Sequence, residues 1–174
     1  RYLDFQQLGP DDGRQAYIGE MWSGIRDEFA GLIGAEKKEI GLVHCTKAGE
    51  QIALDAVDHI RPGGNIVTND LHFSGSLHNL LGMQKAGRDV RIVKAKNWRV
   101  SVDDMAAAID KNTSLVTLAL VSNINGQLAD IKKIAGIAHE RGALVYADII
   151  QAAGIVPLNM HELDIDLAAC SCYK

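Results

Sequence analysis

Apolar residues recur at steps of three and four between Tyr17 and Ile33: Ile18, Met21, Trp22, Ile25, Phe29, Leu32 and Ile33. That spacing puts them on one stripe of an α-helix, and Gly34 supplies a C-terminal stop. "IGLVHC" (Ile40 to Cys45) is then a short apolar run of strand length, and "AGEQIALDAVDHI" (Ala48 to Ile60) is helical until "RPGG" breaks it. The alternation continues with "NIVTN" as strand, Ser74 to Ala86 as helix ended by Gly87, and "DVRIV" as strand. Ser101 and Asp104 stand at capping-box spacing and open a helix in "SVDDMAAAI". "SLVTLALV" (Ser114 to Val121) is the next strand, Asp130 to about Arg141 a helix closed by Gly142, "ALVYAD" (Ala143 to Asp148) a strand, and "DLAACS" (Asp166 to Ser171) the last strand.

Several of these strands are apolar on both faces, as a sheet covered by helices on both sides requires. The β/α alternation therefore predicts a doubly wound, mostly parallel α/β sheet with helices on both faces. With no internal repeat, low-complexity segment or Pro/Gly/Ser-rich linker, residues 1–174 are expected to form one domain. A hydrophobic content of 47% in 174 residues is enough for a single core.

Charge and cysteine usage narrow the class. A net charge of −4 lacks the basic footprint that nucleic-acid binding needs, so no nucleic-acid partner is expected. Three cysteines make an odd number, which argues against a disulfide framework and for a reducing, cytoplasmic compartment. No uninterrupted apolar run reaches the roughly 18 residues of a membrane span, so no membrane association is expected.

In such a sheet, ligands bind at the carboxyl ends of the strands. Neither G-x-G-x-x-G after a strand nor G-x-x-x-x-G-K-[ST] occurs, which disfavours dinucleotide and P-loop chemistry. The strand ends carry "TKAGE", "NDLHFSG", "SNING", "DIIQ" and "SCYK" instead. Singly, each has an ordinary explanation: a cap, a turn, a core aromatic or a solvated lysine. Cys170 and Cys172 have no His or Cys partner at ligand spacing, make a poor metal pair and are expected to be core residues; no metal site is expected.

Together the strand ends share one chemical logic. A lysine at a sheet edge, Lys174, can form a Schiff base with an aldehyde cofactor, and a neighbouring aspartate, Asp148, can keep a pyridine nitrogen protonated. That pairing describes pyridoxal 5'-phosphate. Backbone N–H groups of Ala48 and Gly49 at a helix start can cradle its phosphate, and Phe73 can lie on its ring.

The chain resembles the fold-type-I pyridoxal-phosphate enzymes of the class V aminotransferase group, which include cysteine desulfurases, cysteine C–S lyases, kynureninases and isopenicillin N epimerase-like proteins. The resemblance runs from about Arg14 onward and rests on D-x-x-Q, met by Asp148 and Gln151, followed by S-x-[HY]-K, met by Ser171, Tyr173 and Lys174. It implies that Gln151 and Asn123 contact the cofactor's phenolic oxygen, that Ser171 and Tyr173 hold its phosphate, and that Lys174 carries it covalently. Phe73 takes the stacking place that desulfurases fill with His, with His72 as the alternative. Where many members have a Thr-rich phosphate loop, "KAG" precedes Glu50, so backbone donors alone are expected there.

The resemblance further implies a homodimer with its site at the subunit interface. It also implies that these residues are the large domain of a longer polypeptide whose C-terminal small domain supplies a substrate-binding arginine. The expected activity is a lyase or transferase reaction on an amino-acid substrate, cysteine lyase/desulfurase-like or epimerase-like, with kynureninase-like or aminotransferase chemistry as alternatives. The rival from another class is a non-catalytic α/β binding module of flavodoxin-like or receiver-like type.

Overall fold

The computed structural model of the chain describes residue 9 and residues 13–174. These divide into two compact units, one ending at Leu42 and the other running from Val43 to Lys174.

The first unit contains helix α1 (Arg14–Ile33) and a 3-10 turn (Lys37–Glu39). Gly34 ends α1 in the left-handed region at φ 63°, and the Ala35 N–H donates back to Ala30 O at 2.9 Å, which is how a glycine cap satisfies late carbonyls. The expected apolar stripe is present but only partly covered. Ala30 and Ile33 are buried, whereas Met21, Trp22, Ile25 and Leu32 stay between 40% and 50% exposed.

In the second unit α2 (Thr46–Ile60) is followed by β1 (Asn65–Asn69), α3 (Ser74–Lys85), β2 (Val90–Val93) and α4 (Val102–Ala108). Then come β3 (Thr113–Ala119), α5 (Ile131–Glu140), β4 (Leu144–Asp148), α6 (Met160–Leu163) and β5 (Leu167–Ala169). The five strands run in the order β2-β1-β3-β4-β5, and every pair is parallel. β1 and β3 are buried along nearly their whole length, which explains their continuous apolar runs.

Strand alternation divides the core. Ile66, Leu115, Tyr146 and Ala169 share one face with Ala53, Leu54 and Val57 of α2 and Leu80 of α3. Val67, Val116, Leu118, Val145 and Ala147 point the other way and are buried with Ile134, Ala135 and Ala138 of α5. Each large apolar side chain covered in this way contributes about 1.5–3 kcal/mol. α4 opens as its capping spacing predicts, the Asp104 N–H donating to Ser101 Oγ at 3.0 Å.

Two expected strands are corrected. Ile40–Cys45 is irregular and mostly exposed and joins no strand of the sheet; apolar composition alone makes a strand only where the segment's backbone is paired. "DLAACS" shortens to Leu167–Ala169. β4 ends at Asp148, and after Ile149 N–H donates to Ala169 O at 3.0 Å no ladder remains for Cys170 onward. The cysteines are therefore corrected as well: Cys172 is exposed and Cys170 half-buried, so neither is a core residue.

Candidate active site

Because all five strands are parallel, their carboxyl ends lie along one edge. The strand order reverses direction between β1 and β3, the kind of switch point at which such sheets open a crevice. Three connections meet there.

Asp148 closes β4 and is 4% exposed. Its Oδ1 accepts the Ile150 N–H at 3.0 Å, a local turn that carries Gln151 past the strand end. Burial pushes the Asp148 carboxyl above its ordinary value; Glu50 adds to this, while the Ile150 N–H and the cations Lys174 and Lys47 pull against it. After β3, Ser122 Oγ donates to Leu71 O at 2.9 Å and accepts the Ile124 N–H at 3.2 Å, pinning the turn that holds Asn123. After β5, Ser171 Oγ accepts the Thr46 N–H at 3.0 Å and stands 2.8 Å from Thr46 Oγ1. That contact ties the Lys174 segment to the start of α2. Lys174 Nζ lies 5.7 Å from the centre of the Tyr173 ring, within cation–π range.

These connections enclose an open cavity of about 190 Å³, more than ten times the roughly 10–15 Å³ that one water requires. Phe73, Asn123, Asp148 and Gln151 line it, and so do Ser171, Tyr173 and Lys174. The Phe73 ring packs against Gly75, where an added Cβ would come within 2.7 Å of Phe73 Cε1; the glycine leaves room for the ring at the cavity wall.

Ala48, Gly49 and His72 are not among the lining residues. Gly49 answers to packing: a Cβ there would sit 2.8 Å from Ala169 Cβ, and its N–H already donates to Cys45 O at 3.2 Å. The open donors of this helix start are the Lys47 and Ala48 N–H groups, for which a first turn has no internal acceptor.

His72 is fully buried. Its Nδ1 accepts the Phe73 N–H at 2.9 Å and its Nε2 faces Thr117 Oγ1 at 3.3 Å, so the ring proton resides on Nε2. Burial, and secondarily Lys47, lowers its pKa to about 3. An unfolded histidine binds its proton near 6.5, so the folded state loses stability as pH falls from about 6.5 toward 3, by up to about 1.4 kcal/mol per pH unit. Denaturant unfolding followed across that window is expected to show this slope, and His72→Gln is expected to flatten it.

Sequence reasoning missed Cys45, Thr46, Lys47 and Ser76, all of which line the cavity. Lys47 Nζ pairs with Glu50 Oε2 at 2.6 Å, and Ser76 Oγ donates to the same oxygen at 2.9 Å. Glu50 is 2% exposed; its Oε1 has no hydrogen-bond partner and lies 3.9 Å from His72 Nε2. Besides its backbone donors, the helix start brings the Thr46 hydroxyl and the Lys47 ammonium to the cavity wall. The signal was the polar pair opening "TKAGE".

Residues 12–174 match the family model described as aminotransferase class-V. The chain belongs to the class-V aminotransferase family. Among curated members it is 28% identical over 159 residues to a cysteine desulfurase of Nostoc sp., covering 90% of this chain and 40% of that one. It is 30% identical over 177 residues to a probable cysteine desulfurase of Methanothermobacter thermautotrophicus, covering 98% and 44%. The chain thus spans less than half the length of these relatives. Among solved structures, the cysteine desulfurase CsdA from Escherichia coli superposes with a TM-score of 0.80 at 23% identity, covering 94% of this chain and 42% of that one. A structure described as SspA in complex with cysteine gives 0.82 at 20% identity, covering 95% and 48%. At these identities the class-V match in space concerns the fold. The strand order alone would also suit a flavodoxin-like module; family membership decides between them.

Proposed function

We propose that this chain is the cofactor-binding large domain of a pyridoxal-phosphate enzyme acting on an amino acid, with cysteine as the substrate and C–S cleavage as the reaction. The observation that carries the reading is a buried acid, Asp148, held above its ordinary pKa in a cavity that also presents a lysine amine and an aromatic face. Such an acid is stabilised by an incoming cation, and a protonated pyridine is one. The residues fit the remaining parts of the group: Thr46, Lys47 and Ser171 gather hydroxyl, cation and N–H donors for a phosphate, and Asn123 and Gln151 bring side-chain amides for a phenolic oxygen.

When bound, pyridoxal phosphate supplies a cationic ring that accepts an electron pair from the substrate. Lys174 would be the amine that holds the cofactor, and the same amine would move the proton at the substrate Cα. Asp148 would hold the proton on the ring nitrogen, and Phe73, which lines the cavity, would cover a ring face and exclude water.

The choice of cysteine is supported by the cysteine desulfurases among the relatives. Phe73, in the place that desulfurases fill with His, favours a second reading in the epimerase-like or kynureninase-like branches. A visible absorption spectrum of the full-length protein with added cofactor tests the core reading: a bound chromophore is expected, and a colourless protein indifferent to cofactor overturns it. Sulfide release from cysteine then separates the two branches.

The same reading includes a homodimer, supported by the exposed apolar stripe of Met21, Trp22, Ile25 and Leu32 on α1. Sedimentation of the full-length protein is expected to give a dimer that Trp22→Glu weakens; a monomer at working concentration would remove this part.

A further inference from the structure

At the strand starts, the end of the sheet away from the cavity, His139 meets two carboxylates. Its Nε2 lies 2.8 Å from Asp166 Oδ2 and its Nδ1 3.1 Å from Asp164 Oδ2. An ionised carboxylate oxygen only accepts hydrogen bonds, so both contacts hold only when both ring nitrogens carry protons, that is, when the ring is an imidazolium. His139 also sits in the last turn of α5, where the helix dipole favours a cation.

The two arms are unequal. Asp166, just before β5, is anchored twice to the start of β4: the Val145 N–H donates to the same Oδ2 at 2.7 Å, and the Asp166 N–H donates to Val145 O at 3.2 Å. Asp164 ends α6 in the left-handed region at φ 59°, a conformation glycine adopts freely and a residue with a Cβ only under strain. Its side chain is 64% exposed, against 28% for Asp166. A neutral ring keeps one N–H, and Asp166 is the nearer and better anchored acceptor for it. The Nδ1 lone pair then faces the Asp164 carboxylate, and that contact turns repulsive.

Other charges do not take over this role. α5 packs against α4, β3, β4 and α6. β3 carries no ionisable group, and β4 only Tyr146 and, at its far end, Asp148. α4 brings Asp103 and Asp104, the latter paired with Lys96, and α6 brings His161 and Glu162. On α5 itself Lys133 is paired with Asp130, and Lys132 and Glu140 share the helix, with Arg141 after it. The charges that act on the ring are those of Asp166 and Asp164: burial draws its pKa down, and these two contacts outweigh burial and hold it above the ordinary histidine value.

We propose that His139 is a proton-operated latch on the corner between α6 and β5: the imidazolium clamps both aspartates, and loss of one ring proton releases Asp164 and loosens the end of α6 while Asp166 holds. The corner bears on the cavity because β5 carries the chain on to Ser171 and Lys174. An unfolded histidine titrates near 6.5, so the clamp is complete below about pH 6.5 and is lost as pH rises through the raised folded-state value.

The test follows the full-length, cofactor-free protein by NMR and amide exchange. At about pH 6 both His139 ring nitrogens are expected to give protonated shifts. As the ring loses its proton, the Ile165 N–H, bonded to Met160 O at 3.2 Å, should lose protection relative to an unstructured chain at the same pH, by at most about tenfold per pH unit, and then level off. The Val145 amide should keep its protection. His139→Gln is expected to leave Ile165 poorly protected at every pH. Asp164→Gly, whose backbone takes the left-handed conformation without the contact, is expected to keep Ile165 protected and to abolish the pH step. A ring already neutral at that pH, an Ile165 protection unchanged through the ring titration, or a step that survives Asp164→Gly overturns the proposal. None of these readouts needs the cofactor, so failure of the enzymatic reading and failure of the latch are separate results.

Discussion

Lys174→Ala in the full-length protein is expected to lose the covalent cofactor and to lower turnover by at least about 10²–10⁴-fold, the usual effect of removing a positioned proton-transfer group. Borohydride treatment of the wild-type holoprotein should fix a pyridoxyl label on Lys174, and the variant should carry none. The cavity contains a rival amine, since Lys47 lines it too. Lys47 is engaged differently: its ammonium is 2.6 Å from Glu50 Oε2, which is in turn held by Ser76. Attack on an aldehyde needs a free lone pair, and an ammonium donating to a buried carboxyl group does not offer one. Lys174 meets a ring face, Tyr173, and the field of Asp148 rather than a carboxyl contact of that kind. A wild-type label found on Lys47 would reverse the assignment, and Lys47→Ala would then be the variant that loses it.

The difference between the two lysines also marks what was legible in the sequence. Among the described residues, the sequence pattern located every helix longer than one turn and the five strands, because parallel strands buried on both faces and helices with one covered stripe leave strong patterns. It overreached at Ile40–Cys45, where the pattern was apolar but the segment stays exposed and pairs with no strand. It overreached again at Cys170, where the strand ended two residues earlier than composition suggested.

At the site, the residues at strand ends were legible because topology alone brings them to one edge: Asp148 closes β4, and Asn123 and Ser171 follow β3 and β5. The internal wiring was not. Whether Lys47 points to the cavity depends on a carboxyl three positions on, and whether Gly49 serves a ligand or a helix–strand contact depends on Ala169, 120 positions away. His72 and Phe73 are adjacent, yet one is sealed beneath the sheet edge and the other faces the cavity, a difference no single-residue preference encodes.

Asp148→Asn is expected to move function and stability in opposite directions. The carboxyl is buried, and its folded-state pKa is raised, by burial first. A carboxyl raised in this way takes up protons more readily when folded than when unfolded. The cofactor-free protein therefore loses stability as pH climbs from the ordinary aspartate value through the raised one. Asparagine keeps an oxygen for the Ile150 N–H and carries no charge, so cofactor-free Asp148→Asn should resist urea better than wild type near neutral pH. Turnover should fall, because a charge-assisted hydrogen bond contributes roughly 1.5–3 kcal/mol. That corresponds to about one to two pKa units on the ring nitrogen, and lost in the transition state it slows the reaction about 10–150-fold. Cofactor should stay attached to Lys174, so the label of the first experiment persists while activity drops. A variant less stable than wild type, or one with normal turnover, would mean that the buried acid serves the fold and not the cation it is proposed to meet.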